Sequence, residues 1–374
     1  MDLVVRRKDF LHELQLFQGI VERKNTIPVL ANVLLEAEDN KLRMVATDLE
    51  VALDVRCPAK VKKSGTLTLP AKKLFEIVRA LPDTNITIRE EGQDVVKVSA
   101  DKFESRIKTL SRQDFPTLAK ADNKKFIKLP GQTLRALITR TQFAITGEDT
   151  RYFLNGALFY FTADQITLVA TDGHRLALVV GKRGGGGNIK KGKNGEPRVI
   201  LPRKTLTELN KLLTEEIKEI GYQQSDNHLF FEVGERMLIS RMIDGQFPAY
   251  ERVIPKGNDK AIEFDSDRLT AAVKRVAVLS SERSQAVKIQ INKNKVEITS
   301  NTPDVGEASE ELEVEYAGES VQICLNAKYV LDFLGVVETD NVRLEFKDET
   351  TQAVMQPVGS EGYNYTYVIM PMRI

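Results

Sequence analysis

The sequence lacks most of what marks a catalyst, a secreted protein or a membrane protein. It has two cysteines, Cys57 and Cys324, too few and too far apart for a disulfide framework or a zinc site. Its three histidines, His12, His174 and His228, show no metal-ligand spacing. No run approaches the roughly 18 apolar residues of a membrane span, and Met1-Asp2-Leu3-Val4-Val5-Arg6-Arg7 lacks the apolar stretch of a leader. A soluble cytoplasmic protein with no cofactor, no metal and no membrane contact is expected. Net charge is nearly absent as well: 54 basic residues face 53 acidic ones, for a formal +1. No overall basic field announces a nucleic-acid binder, so any such charge must be segregated onto one surface.

Apparent enzyme motifs fail on inspection. Gly187-Asn188-Ile189-Lys190-Lys191-Gly192-Lys193 has the GxxxxGK pattern of a phosphate loop, but Asn194 follows where Ser or Thr should hold Mg²⁺. Gly195 and Pro197 also prevent a helix from starting there, so a flexible hairpin loop is expected. Asp172 and His174 could form a general-base pair, yet no serine or cysteine stands in a nucleophile motif to use it. Glu307, Glu310, Glu311 and Glu313 read as a solvated edge in preference to a two-metal site. A Mg²⁺-dependent DNA-modifying enzyme is kept as the alternative.

What is present is repetition. Leu69-Pro70-Ala71-Lys72, Leu201-Pro202-Arg203-Lys204 and Leu325-Asn326-Ala327-Lys328 each follow a strand-like run and open a helical pattern. Ala46-Thr47-Asp48 recurs as Ala170-Thr171-Asp172, and Asp114-Phe115-Pro116 as Gln246-Phe247-Pro248. The drift between copies falls in the glycine-rich insertion from Gly184 to Lys193. Three copies of about 120 residues follow, as expected of a chain built by internal duplication. Each copy has two helices with apolar residues three and four apart. The first helices carry Phe10, Leu11, Leu14 and Phe17; then Leu134, Leu137, Ile138 and Thr141; then Leu269, Ala272, Val273 and Val276. The second carry Leu74, Phe75, Ile77, Val78 and Leu81; then Leu206, Leu209, Leu212 and Leu213; then Val330, Leu331, Phe333 and Leu334. Period-two alternation, as in Leu42, Met44, Ala46 and Ile166, Leu168, Ala170, marks strands between them. The fold class is α+β, repeated, with domains at 1–120, 128–250 and 252–374.

Charge is distributed unevenly over this pattern. The six helical windows hold thirteen Lys and Arg against six Asp and Glu. Inner faces belong to the core, so Lys72, Lys73, Arg79, Arg135, Arg203, Lys204, Lys211 and Lys274 are expected to point outward. Taken singly, each helix could be an ordinary solvated face. Six of one sign in equivalent positions suggest sequence-independent contact with phosphates.

Thr171-Asp172-Gly173-His174-Arg175-Leu176, Arg151-Tyr152-Phe153-Leu154-Asn155-Gly156 and the terminal Tyr367-Val368-Ile369-Met370-Pro371-Met372-Arg373-Ile374 closely resemble the bacterial replicative sliding clamp, the beta subunit of DNA polymerase III. The likeness runs the full length. It implies three DNA-clamp domains per chain, helices inside and antiparallel sheets outside, and a head-to-tail dimeric ring of six domains around double-stranded DNA. It further implies a non-catalytic processivity factor that tethers the replicative polymerase catalytic subunit, the clamp loader and other clamp-motif proteins. The partner groove would lie between copies two and three and comprise Leu154, Thr171, Gly173, His174, Arg175, Leu176, Pro248, Arg252, Val253, Val368, Met370, Pro371, Met372 and Arg373. For His174 a purely structural role is the other reading. DNA would be met by Arg23, Lys24, Tyr152 and Phe153 besides Lys72, Arg135 and Lys204, although Phe153 replaces a frequent tyrosine and Glu148 lies nearby. The dimer interface would pair Lys73, Phe103, Ser105 and Ile107 of one copy with Val278, Leu279, Glu307, Glu310 and Glu311 of another. A scaffold with no DNA role is the third reading.

Overall fold

The computed structural model describes residues 1–21, 26–92, 94–122, 126–184, 198–360 and 362–373. Arg23 and Lys24, and the phosphate-loop-like segment with all of the glycine-rich insertion beyond Gly184, lie outside the described residues.

Among the described residues six α-helices form where the apolar spacing placed them: α1 (Arg7–Phe17), α2 (Ala71–Ala80), α3 (Gly131–Thr141), α4 (Arg203–Leu212), α5 (Ser266–Ala277) and α6 (Ala327–Leu334). The expected faces are largely the buried ones. In α3 and α5 all four residues of each set are buried, whereas Leu11 of α1 and Leu331 of α6 are half-buried. The third copy breaks the Leu-Pro pattern with Asn326, and its side chain accepts a hydrogen bond from the Tyr329 N–H at 3.2 Å as a helix cap. Pro70, at the same place before α2, caps nothing with its side chain.

The chain divides into two compact units, Met1–Gln132 with Lys204–Met242, and Thr133–Arg203 with Ile243–Ile374. These are not the three sequence copies, because hydrogen bonding runs across the copy boundary. In the first unit, strand Val51–Pro58 of copy one pairs antiparallel with Arg236–Arg241 of copy two, completing an eight-stranded sheet. In the second, Arg175–Lys182 of copy two pairs with Tyr363–Ile369 of copy three in another eight-stranded sheet. The first unit also holds a five-stranded sheet ending at Phe103–Lys108, and the second a four-stranded sheet ending at Gly306–Glu313.

Burial raises the thiol of Cys57 to about 12 and that of Cys324 to about 11. Both are protonated at neutral pH, and the thiolate is the nucleophile. Folded protein should therefore show essentially no fast thiol titration with Ellman's reagent at pH 7.5, and two thiols after guanidinium unfolding. Rapid reaction of the folded protein would contradict the burial.

Candidate functional site

Two turns of nearly identical construction follow the recurring Ala-Thr-Asp. In Thr171–Arg175 the Thr171 hydroxyl donates to the Arg175 carbonyl at 2.6 Å and accepts from the Gly173 N–H at 3.1 Å. Asp172 Oδ1 accepts from the His174 and Arg175 N–H groups at 2.9 and 3.0 Å. Thr47–Val51 repeats each bond, with Leu49 at φ +79° where Gly173 has φ +90°. Leucine can thus occupy the left-handed position at some strain. At Gly173 the space is also limited, since a Cβ there would lie 3.3 Å from Arg151 Nη1.

On the second unit this turn borders a cavity of about 260 Å³. Leu176 and Val368, register partners on adjacent strands, form its floor, and Leu154, Phe153, Thr171, Pro248, Tyr250, Val253 and Met370 build its walls. Beneath lies a cluster including Leu158, Val169, Ile200, Phe247 and Val354. Burial of each such side chain contributes about 1.5–3 kcal/mol to stability. Tyr250 Oη meets Tyr160 Oη at 2.9 Å, and burial together with that hydrogen bond raises the Tyr250 phenol well above its ordinary range. At the rim, hydrogen bonds from the Arg151 side chain and backbone hold Asp149 down to about 2. Apolar walls with a few oriented polar groups suit an apolar segment of a partner better than a reaction centre.

The first unit carries a larger cavity, about 800 Å³, on the corresponding sheet face. Glu36, Arg43 and Asp54 stand there where Tyr160, Thr167 and Leu178 stand in the second unit. Arg43 binds Asp54 Oδ2 at 2.7 Å and Glu36 Oε2 at 2.5 Å, so this face is filled with charge. The larger cavity is thus the charged one and the smaller the apolar one.

The structure brings together Leu154, Thr171, Gly173, Arg175, Leu176, Pro248, Val253, Val368 and Met370 as expected, but not the whole set. His174 is exposed, and its backbone carbonyl accepts from the Met370 N–H at 2.9 Å. Arg252 and Arg373 are exposed, and Pro371 and Met372 are half-buried; none of these lines the cavity. The chain turns away after Met370, where the Met372 N–H donates to the Cys324 carbonyl at 2.8 Å. Phe153, expected to meet DNA, is half-buried in the cavity wall, whereas Tyr152 is 74% exposed. Sequence reasoning missed Arg151 and Tyr250 as lining residues. Arg151 opens the Arg-Tyr-Phe-Leu-Asn-Gly segment, and Tyr250 follows the recurring Phe-Pro by two residues.

The expectation that the helical cations all face outward is corrected in part. The Lys204 ammonium is engaged by Asp48 and by the Ile20 carbonyl, because the first turn places its carboxylate against α4. Lys72 and Lys73 are exposed beside Glu76, and Arg135 is half-buried.

At the sheet ends, Phe103, Ser105 and Ile107 alternate along one face of an unpaired edge. Ser105 is half-buried and its hydroxyl donates to the Val98 carbonyl at 3.2 Å. Val278, after α5, is 78% exposed, and Leu279 beside it is half-buried. Glu310 is held by Arg275 and Glu311 by Lys295, so they are not free acids; Glu307 has no such partner among the described residues. Ion pairing across neighbouring elements explains the difference.

Fold and cavity together define a binding protein of repeated clamp-type domains. The family model for the DNA polymerase III beta subunit, N-terminal domain, matches residues 1–119, that for its central domain 128–249, and that for its C-terminal domain 251–373. The chain is 38% identical to a beta sliding clamp of Pseudomonas aeruginosa and 34% identical to that of Escherichia coli, over the full length of each. A solved P. aeruginosa structure, bound to griselimycin, has a TM-score of 0.91 at 38% identity, with both chains covered completely. A Caulobacter crescentus clamp has a TM-score of 0.92 at 36% identity, covering 100% of this chain and 99% of that one. This chain belongs to the beta sliding clamp family, the beta subunits of bacterial DNA polymerase III.

Proposed function

We propose that this chain is a non-catalytic processivity factor. Two copies close head to tail around duplex DNA, and the second unit's cavity receives a short apolar segment of the replicative polymerase, of the clamp loader or of other partners. The apolar cavity on a repeated clamp scaffold carries the reading. A methionine in its wall adapts to different apolar anchors, which suits one groove serving several proteins. Griselimycin, bound by a relative, should enter the same cavity here.

The dimer would join the open edge Phe103–Lys108 of one chain to Gly306–Glu313 of the next. An unpaired edge strand is a ready template for pairing, and Phe103 and Val278 supply exposed apolar area beside the two edges. A head-to-tail contact that closes after two copies gives a ring and not a filament. Lys72, Arg79, Arg135 and Lys274 would then provide unspecific phosphate contacts, weak enough to permit sliding. Near-neutral net charge is consistent with retention by topology.

Retention on DNA separates the readings. Protein loaded by a clamp loader onto a nicked circle should co-elute with it on gel filtration in moderate salt, and should be lost when a restriction enzyme linearises the circle. Equal retention on both forms would favour ordinary DNA binding. Nuclease or modifying activity that co-purifies and is abolished by one carboxylate substitution would favour the enzyme.

A further inference from the structure

Arg175 lines the groove, yet its side chain is only 7% exposed and its guanidinium is fully engaged elsewhere. Nε donates to Asp172 Oδ2 at 3.0 Å, Nη2 to the Phe143 carbonyl at 2.6 Å and Nη1 to Asp332 Oδ2 at 2.6 Å. The Tyr329 ring lies 4.3 Å from the guanidinium carbon. The groove therefore meets the aliphatic stem of Arg175 and not its charge.

The turn itself does not need this arginine. The first-copy turn makes the same side-chain-to-backbone bonds with Val51 in that place, and there Asp48 is held directly by Lys204. The arginine fork is thus an addition beside the groove. It places a cation under an apolar floor, which is tolerable only while its anions stay in position. Asp172 belongs to the turn. Asp332 comes from α6, lines no part of the cavity, and shares the same Oδ2 with Lys328 at 2.6 Å.

We infer that Asp332 is a positioning residue for the partner groove, acting through Arg175: it holds the guanidinium against α6 and so keeps charge out of the cavity. Without that carboxylate Nη1 keeps only the Tyr367 hydroxyl at 3.5 Å, and the cavity over Leu176 and Val368 is a space that Arg175 already borders. This rests on the reading of the cavity as the groove.

The test uses the full chain, with griselimycin binding measured by calorimetry and the Met370 methyl resonance measured without ligand. Asp332→Asn should bind griselimycin about tenfold more weakly and shift the Met370 methyl. Asp332→Glu, which keeps the carboxylate, should restore affinity to within about threefold. Lys328→Met removes the other cation from the same oxygen and should change affinity less than about twofold. In an Arg175→Met background, Asp332→Asn should have no further effect on either readout. The inference is overturned if Asp332→Asn binds as the parent does with Met370 unmoved, or if its effect persists undiminished in the Arg175→Met background. A shifted Met370 in a protein that never binds griselimycin would instead remove the groove reading and leave the positioning role standing.

Discussion

Deletion of residues 370–374 is expected to weaken griselimycin binding, and capture of the polymerase, by roughly 100-fold or more, because a few central contacts carry most of such an interaction. Met370 forms part of the cavity wall, and no other residue of the described chain stands in its place. The deletion also removes the Met370 N–H bond to the His174 carbonyl and the Met372 N–H bond to the Cys324 carbonyl. Each contributes about 0.5–1.5 kcal/mol to stability, so the truncated protein should melt a few degrees lower at most. The edges assigned to dimerisation lie elsewhere in the chain, and sedimentation should still give a dimer. Affinity unchanged by the truncation would remove the groove from this surface. A truncated protein that neither binds nor dimerises would point to general damage, and a Met370→Glu variant, melting as the parent does, would then decide the matter.

The second large effect concerns Val278. In the isolated chain it is 78% exposed, so Val278→Asp should leave the fold and its melting temperature nearly unchanged. Buried at a chain–chain contact, the same carboxylate would find Arg275 already taken by Glu310, and the Lys73 expected across the contact already paired with Glu76 of its own helix. Leaving a charge without a partner at a closed interface costs about 3–5 kcal/mol, or about two to four orders of magnitude in the dissociation constant. The variant should sediment as a monomer at micromolar concentration and should not be retained on a nicked circle. The double variant with Leu279→Asp should behave the same way, with some loss of stability because Leu279 is half-buried. A Val278→Asp protein that remains dimeric would remove the region after α5 from the interface. These two experiments report on different surfaces, so failure of one does not decide the other.

Local structure was largely legible in the sequence. Spacing of Leu134, Leu137, Ile138 and Thr141 gave the buried face of α3, because helical periodicity depends on near neighbours alone. The recurrence of Ala-Thr-Asp marked two turns that share four hydrogen bonds between Thr or Asp side chains and the backbone, with Gly173 and Leu49 at positive φ. Much of the cavity was also legible through the family resemblance, from Leu154 and Leu176 to Val368 and Met370. Charge was where sequence reading reached least far. Counting charges on helices could not show that Lys204 is engaged by Asp48, or Glu13 by Arg236 at 2.6 Å, because each pair joins residues far apart in the chain.

The sequence by itself determined a threefold repeat of helices and strands, the turn before Arg175, and the absence of any recognisable catalytic pattern; these follow from periodicity and local hydrogen bonding. Only the tertiary structure decided that the compact units straddle the copies, that one of two related cavities is small and apolar while the other is large and charged, and that Arg175 turns its charge away from the apolar one. Those outcomes depend on strand pairing and ion pairing between distant segments, which no local pattern encodes.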